Sequence, residues 1–137
     1  MPITFVPSAG MVLWCSYDGE EPEMTKDRRV IVVSTKAANR RGTCIVVPFS
    51  TVEPIPPMGW HHEIPTGRYP FLPTRCWAKA DMAGVVGWKR LDRVKVAGKW
   101  ESPKTTMADL RAIQRAVMFA MGIEADNAKA YLQAVSP

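Results

Sequence analysis

This chain of 137 residues is short of several kinds of functional equipment. It has three cysteines, Cys15, Cys44 and Cys76, an odd number, each within a strand-like segment. That argues against a disulfide framework and agrees with a reducing compartment; they read as small core residues. It has two histidines, His61 and His62, side by side, and no Cys/His spacing that suits a zinc site. No apolar run approaches the roughly 18 residues of a membrane span. The start, "MPITFVPSAG", lacks a basic region followed by a long apolar stretch, so no secretory signal is visible. The expectation is a cytoplasmic protein with no metal, no cofactor and no membrane partner. There is no internal repeat or low-complexity tract.

What is present suits one domain with a real core. The hydrophobic content of 47% is ordinary. A net charge of +5 and a pI near 9.3 suggest a polyanionic partner, although charge alone is more often a solvated surface. "MVLWCSY" (11–17) reads as a strand. "RVIVVS" (29–34) and "CIVVPF" (44–49) are continuous β-branched runs of the kind buried on both sides. Residues 51–75 carry six prolines and read as a long irregular segment that covers a site or moves, with "WHHEI" (60–64) a short edge strand inside it. "CWAKADMAGVVGW" (76–88) reads as one or two strands with a glycine bend, and "KRLDRVKV" (89–96) as another, with Leu91, Val94 and Val96 as core contacts.

One helix stands out. Thr106 is a plausible N-cap with Asp109 three residues on. Leu110, Ile113, Val117 and Ala120 or Met121 follow helical spacing, and Gly122 offers a C-cap. A second helix over about 124–135 is possible. Many short strands followed by a terminal helix predict a mainly β fold: a small, strongly bent sheet or barrel with a helix packed on it.

Five segments occur in an order that resembles the PemK/MazF family of toxins from bacterial toxin–antitoxin pairs. They are "PSAGMVLWCSYD", "EPEMTKDRRVIVVS", "CIVVPFST", "KADM" and "KRLDRV", closed by the helix. The resemblance covers about residues 7–122. It implies an SH3-like fold of the PemK/MazF/CcdB type over residues 1–122, with 123–137 a helical tail. It also implies a growth-inhibiting mRNA interferase, a metal-independent and sequence-specific endoribonuclease. Such enzymes resemble one another in using the RNA's own 2′-hydroxyl, leaving a 2′,3′-cyclic phosphate and a 5′-hydroxyl. The implied partners are single-stranded RNA, a cognate acidic antitoxin and a second copy of the chain in a homodimer.

That reaction needs a base at the 2′-oxygen, positive charge at the phosphate and a proton donor for the leaving oxygen. By the resemblance, Arg28 is the catalytic arginine, whose fork can hold two phosphate oxygens. Ser50 stands where the family usually has threonine. Asp81 matches an acid proposed as base, which needs burial to raise its proton affinity. Lys79 stands where some members have arginine, and Glu23 matches a glutamate that orients the arginine. Each also has a plainer reading: Arg28 as a solvated charge at the start of a strand, Ser50 as a turn hydroxyl, Asp81 as an ion-pair partner.

The family's proline after the arginine is Arg29 here. Arg29, Arg40, Arg41, Lys89, Arg90 and also Arg93 are candidates to follow an RNA backbone, and Trp60, Trp88 and Tyr69 to stack on bases. His61 has acid–base capability, although a His pair in a proline-rich loop is more often a surface feature. A CcdB-type gyrase poison and a catalytically inactive binding or regulatory relative stay open as alternatives.

Overall fold

The two β-branched runs form the centre. In the computed structural model, which describes residues 1–123, β2 (Arg28–Val32) and β3 (Thr43–Ser50) pair antiparallel, with Val30 opposite Pro48 and Val32 opposite Val46. Between them lies a one-turn helix, α1 (Lys36–Asn39). Its last residue, Asn39, is fully buried and donates to the carbonyls of Pro7 (2.9 Å) and Ser34 (3.1 Å).

β1 (Val12–Cys15) flanks β2, placing Trp14 opposite Arg29 and Cys15 opposite Arg28. The other edge of β3 is shared. β6 (Gly84–Gly87) pairs with its first half, and β5 (Cys76–Lys79) with its last two residues. β4 (His61–Ile64) lies outside β5, and the short β7 (Leu91–Asp92) outside β1. The order β4-β5-β3-β2-β1-β7 is an open path. The mainly β fold with a terminal helix is as expected, but the sheet is bent and open rather than a closed barrel. A separate hairpin, β8 (Val94–Val96) and β9 (Lys99–Glu101), follows.

Both faces of this sheet are apolar, which explains the unbroken β-branched runs. Leu13, Cys15, Val30, Val32, Cys44, Val46, Val86 and Leu91 pack on one side. Val12, Ile31, Val47, Phe49 and Ala78 pack on the other, beneath Leu110 and Ile113 of α2 (Met107–Ala120). We call these the Val30 face and the Ile31 face. A fully buried side chain such as Leu13 or Ile113 contributes roughly 1.5–3 kcal/mol.

α2 starts as its sequence predicts: the Asp109 N–H donates to Thr106 Oγ1 (3.2 Å). It ends at Gly122, where φ is +85°, with the Ile123 N–H donating to the Met118 carbonyl (2.9 Å). The buried positions are Asp109, Leu110, Ile113 and Ala116. Ala120 and Met121 are exposed, one turn beyond the core.

Residues 76–88 are two strands, as one of the two readings had it, joined by a 3-10 turn (Ala80–Met82). Two expectations change. The strand over 89–96 is broken by a second such turn (Trp88–Arg90) and a kink at Arg93. Leu91 and Val94 are still buried. The segment 51–75 is no mere cover, because Tyr69, Phe71 and Leu72 fill the Ile31-side core. The helix expected over 124–135 lies outside the described residues.

Candidate active site

Strand alternation decides which charges meet. Successive residues of a strand face opposite sides, and cross-strand partners share a side. Arg28 therefore lies on the Val30 face with its partner Cys15, and Arg29 on the Ile31 face with its partner Trp14. Extending the β2–β3 register two residues past Val30–Pro48 sets Arg28 opposite Ser50. Ser50 pairs with Trp77, and Lys79, two residues on, pairs with His61. Arg28, Ser50, Lys79 and His61 thus line one side of β2, β3, β5 and β4.

Three groups on this side make no hydrogen bond among the described residues: the Nε of Arg28, the hydroxyl of Tyr17 and the indole Nε1 of Trp88, all buried. Burial pushes the Tyr17 hydroxyl well above the ordinary phenol range, while the nearby positive charge of Arg28 acts to lower it. An unsatisfied buried donor costs about 1–3 kcal/mol, so its retention needs a reason. Tyr17 opens into a cavity of about 500 Å³ shared with Glu23, Met24, Asp81, Met82 and Arg90. This cavity brings Glu23 and Asp81 together with Asp18, but Arg28, Ser50 and Lys79 do not line it; Arg28 opens instead, with Arg29, Trp14 and Phe49, into a cavity of about 190 Å³. Sequence reasoning passed over Tyr17; its signal was its place two residues beyond Cys15, on the face that carries Arg28.

The remaining candidates divide. Ser50 is buried, and its Oγ accepts from the Val52 N–H (3.2 Å), leaving its own proton free to donate. Asp81 sits exposed in the 3-10 turn after β5. His61 Nδ1 accepts from the Met58 N–H (2.9 Å). Arg90 is engaged by Asp18 through both guanidinium nitrogens, one at 3.0 Å, which holds the Asp18 carboxyl low. Lys89 is exposed beside it. Arg40 and Arg41 follow α1, at the opposite end of β2 and β3 from Arg28. Trp60 packs against Phe119, with ring centroids 6.1 Å apart. Trp88 is half-buried against the Val30-side core.

Tyr69 is withdrawn as a base-stacking residue. It is buried, its ring is stacked on Phe71 at 4.7 Å, and its hydroxyl donates to Asp109 (2.5 Å). Asp109 is the centre of a buried cluster at the start of α2, also bonded to Arg68 (2.8 Å) and His62 (2.9 Å). Burial acts to raise its carboxyl, but hydrogen bonds from Tyr69, His62 and Arg68 outweigh it and leave the group below the usual range. The His pair thus splits: His61 on the site's face, His62 against the helix. Among the described residues no group of three or more His, Cys, Asp or Glu is placed to hold a metal, and no helix is long and apolar enough to cross a membrane.

The sequence pattern of the PemK-like, MazF-like toxin of type II toxin–antitoxin systems matches residues 8–118. The protein YifN of Escherichia coli (strain K12) is 33% identical, over 86% of this chain and 93% of its own. Among solved structures, MazF (Form-I) from Deinococcus radiodurans superposes with a TM-score of 0.68 at 17% identity, covering 86% of this chain and 98% of that one. An endoribonuclease in complex with its cognate antitoxin, from a Mycobacterial species, gives 0.63 at 20% identity, covering 86% and 97%. At such identities the structural likeness speaks for the fold alone.

Proposed function

This chain belongs to the PemK-like, MazF-like toxins of type II toxin–antitoxin systems, and on that footing we propose that it is an endoribonuclease that cuts single-stranded RNA without a metal. The observation that carries this reading is the buried Arg28 Nε and Tyr17 hydroxyl on one face, neither in a hydrogen bond, with Tyr17 opening into a cavity lined by Asp18, Glu23 and Asp81. The free Nε of Arg28 calls for an acceptor oxygen, and a phosphodiester supplies one.

In the proposed step the 2′-oxygen of the substrate attacks the adjacent phosphorus. The 2′-O–P bond forms and the P–O5′ bond breaks, giving a 2′,3′-cyclic phosphate and a 5′-hydroxyl. Arg28 holds the phosphate oxygens through its fork, and its fixed charge offsets the negative charge that grows on them. Ser50 and Tyr17 donate hydrogen bonds to the same oxygens. Glu23 or Asp81 takes the 2′-hydroxyl proton, and Lys79, an ammonium with transferable protons, gives one to the leaving oxygen.

The partners follow from the same surfaces. Among the described residues β6 pairs on one edge only, and beside it Ile45, Val85 and Met121 are 41%, 67% and 70% exposed around an apolar hollow. A second copy covers such a patch well, so the working form is a homodimer. A flexible acidic segment of a cognate antitoxin competes with RNA for the basic surface and folds as it binds.

The test is an end-labelled, mixed-sequence RNA incubated with the isolated protein in excess chelator. The expected result is cleavage leaving 2′,3′-cyclic phosphate ends. Cleavage that needs an added divalent ion, or none at all, overturns the reading.

A further inference from the structure

Arg29 meets Arg28 and Trp14 in a small cavity of about 190 Å³, and it also lines a larger hollow that Arg28 does not reach. This hollow of about 340 Å³ is lined by Arg29 with Trp14, Asp92, Arg93, Lys95 and Trp100, within the roughly 300–1,000 Å³ of ligand sites. Trp14 comes from β1, Arg29 from β2 and Trp100 from β9, so three separated segments converge.

The chemistry of this hollow is unlike the rest of the surface. Trp14 and Trp100 are 38% and 57% exposed, where most large apolar groups of the chain are buried. Each indole already has a cation at its face: the Arg29 guanidinium carbon is 5.8 Å from the Trp14 ring centre, and Lys95 Nζ is 5.6 Å from that of Trp100. The only acid, Asp92, is held by the N-terminal amine (2.7 Å) and the Arg93 N–H (2.7 Å). Arg29, Arg93 and Lys95 have no ion-pair partner among the described residues, and the Arg29 Nε is buried without a hydrogen bond. The hollow therefore offers flat aromatic faces and unspent positive charge. A ligand that answers both is planar and anionic.

We propose that this hollow holds an unpaired nucleotide of the RNA strand, its base stacked on Trp100 or Trp14 and its phosphate held by Arg29, Arg93 and Lys95. The proposal rests on the endoribonuclease reading above. Arg28 and Arg29 are adjacent at the start of β2 and serve opposite faces, so a strand passing over that end reaches both sites. The cut phosphate lies at Arg28, and a neighbouring nucleotide is gripped at the hollow. Every base has a π-face, so this grip adds affinity with little sequence preference. An acidic peptide satisfies the cations but gives the two indoles a flat partner only where it also carries an aromatic side chain.

The test measures binding of a labelled, mixed-sequence, single-stranded oligonucleotide with 2′-deoxy sugars, which has no attacking hydroxyl, to the isolated full chain. Trp100→Ala is expected to weaken binding about tenfold or more, the effect of losing one stacked base. Trp100→Phe, which keeps a flat ring, should recover most of it. Lys95→Ala should flatten the dependence of log affinity on log salt by about 0.7, the contribution of one phosphate on a single strand. In cleavage of RNA, Trp100→Ala should raise KM and leave kcat nearly unchanged. If the parent binds the oligonucleotide and cuts RNA while Trp100→Ala matches it in both, the hollow is no nucleotide site and the endoribonuclease reading survives. If the parent neither binds nor cuts, both fall together. Trp100-dependent capture of an aromatic-bearing acidic peptide, with oligonucleotide binding unaffected by Trp100→Ala, assigns the hollow to a protein partner and overturns the proposal.

Discussion

Arg28 and Arg29 are joined by one peptide bond, yet Arg28 shares the face of Cys15 and Arg29 the face of Trp14. The two charges consequently have separable effects. Arg28→Ala is expected to lower kcat by about a hundredfold or more, the usual loss when one transition-state donor is removed. Arg28→Lys should be damaged nearly as much, because the charge stays but the fork is gone. Arg29→Ala should act mainly on KM. Steady-state cleavage by variants with unchanged circular dichroism checks this, and equal kcat losses at the two positions would contradict it.

Tyr17→Phe should separate activity from stability. The Tyr17 hydroxyl is buried with only the Cys15 thiol, a weak hydrogen-bonding group, beside it, so removing it costs the free protein little and relieves a desolvation penalty of about 1–3 kcal/mol. The expected outcome is an equal or higher Tm together with slower RNA cleavage. A lower Tm would show that the hydroxyl has a structural partner.

Acid should loosen the start of α2. Asp109 lies below the usual carboxylate range in the fold because of its bonds to Tyr69, His62 and Arg68. A depressed folded pKa stabilises above the unfolded value, and that contribution fades as pH falls through the folded pKa. Asp109→Asn should therefore be less stable than the parent at neutral pH, by about 1–3 kcal/mol, and the gap should narrow steadily below about pH 4. Urea unfolding followed at several pH values reads this directly. A gap that does not change with pH would rule out the carboxylate as its source.

The β8–β9 hairpin carries a correctable strain. Its turn has two residues with positive φ, Ala97 at +49° and Gly98 at +82°. Glycine accepts this readily, whereas alanine is disfavoured there and asparagine tolerated. Ala97→Asn should raise stability by about 0.5–1 kcal/mol without touching Trp100, and a thermal melt measures it.

That hairpin also shows where the sequence ran out. "VKVAGKWE" lacks the Asn-Gly or Asp-Gly pair that usually marks such a turn, so β9 and the exposure of Trp100 were invisible. The long runs 29–34 and 44–49 were legible because burial on both faces leaves an unbroken apolar signature, and α2 because cap, spacing and terminal glycine agreed. Tyr69, Phe71 and Leu72 were not, because isolated apolar residues among prolines carry no period; only the tertiary fold makes them core. In the candidate site, Arg28, Ser50, Lys79, Glu23 and Asp81 were assigned through resemblance, and the register supplies a reason for Arg28, Ser50 and Lys79 to share a face. The splitting of Arg28 from Arg29, and of His61 from His62, follows from two-residue alternation once the strand limits are known. Asp109 carried a helix-start signal, but its burial among partners 40 and more residues away in the chain did not.

The three cysteines, all free and buried in different strands, have a practical consequence. Burial pushes each thiol up to about 11, so at neutral pH only about one in ten thousand is the reactive thiolate. A thiol-specific reagent is therefore nearly blind to the folded chain and reacts with it once the sheet opens. The protein carries three internal clocks, in β1, β3 and β5, and their rates of labelling report whether the central sheet comes apart as one unit or from its β5 side first.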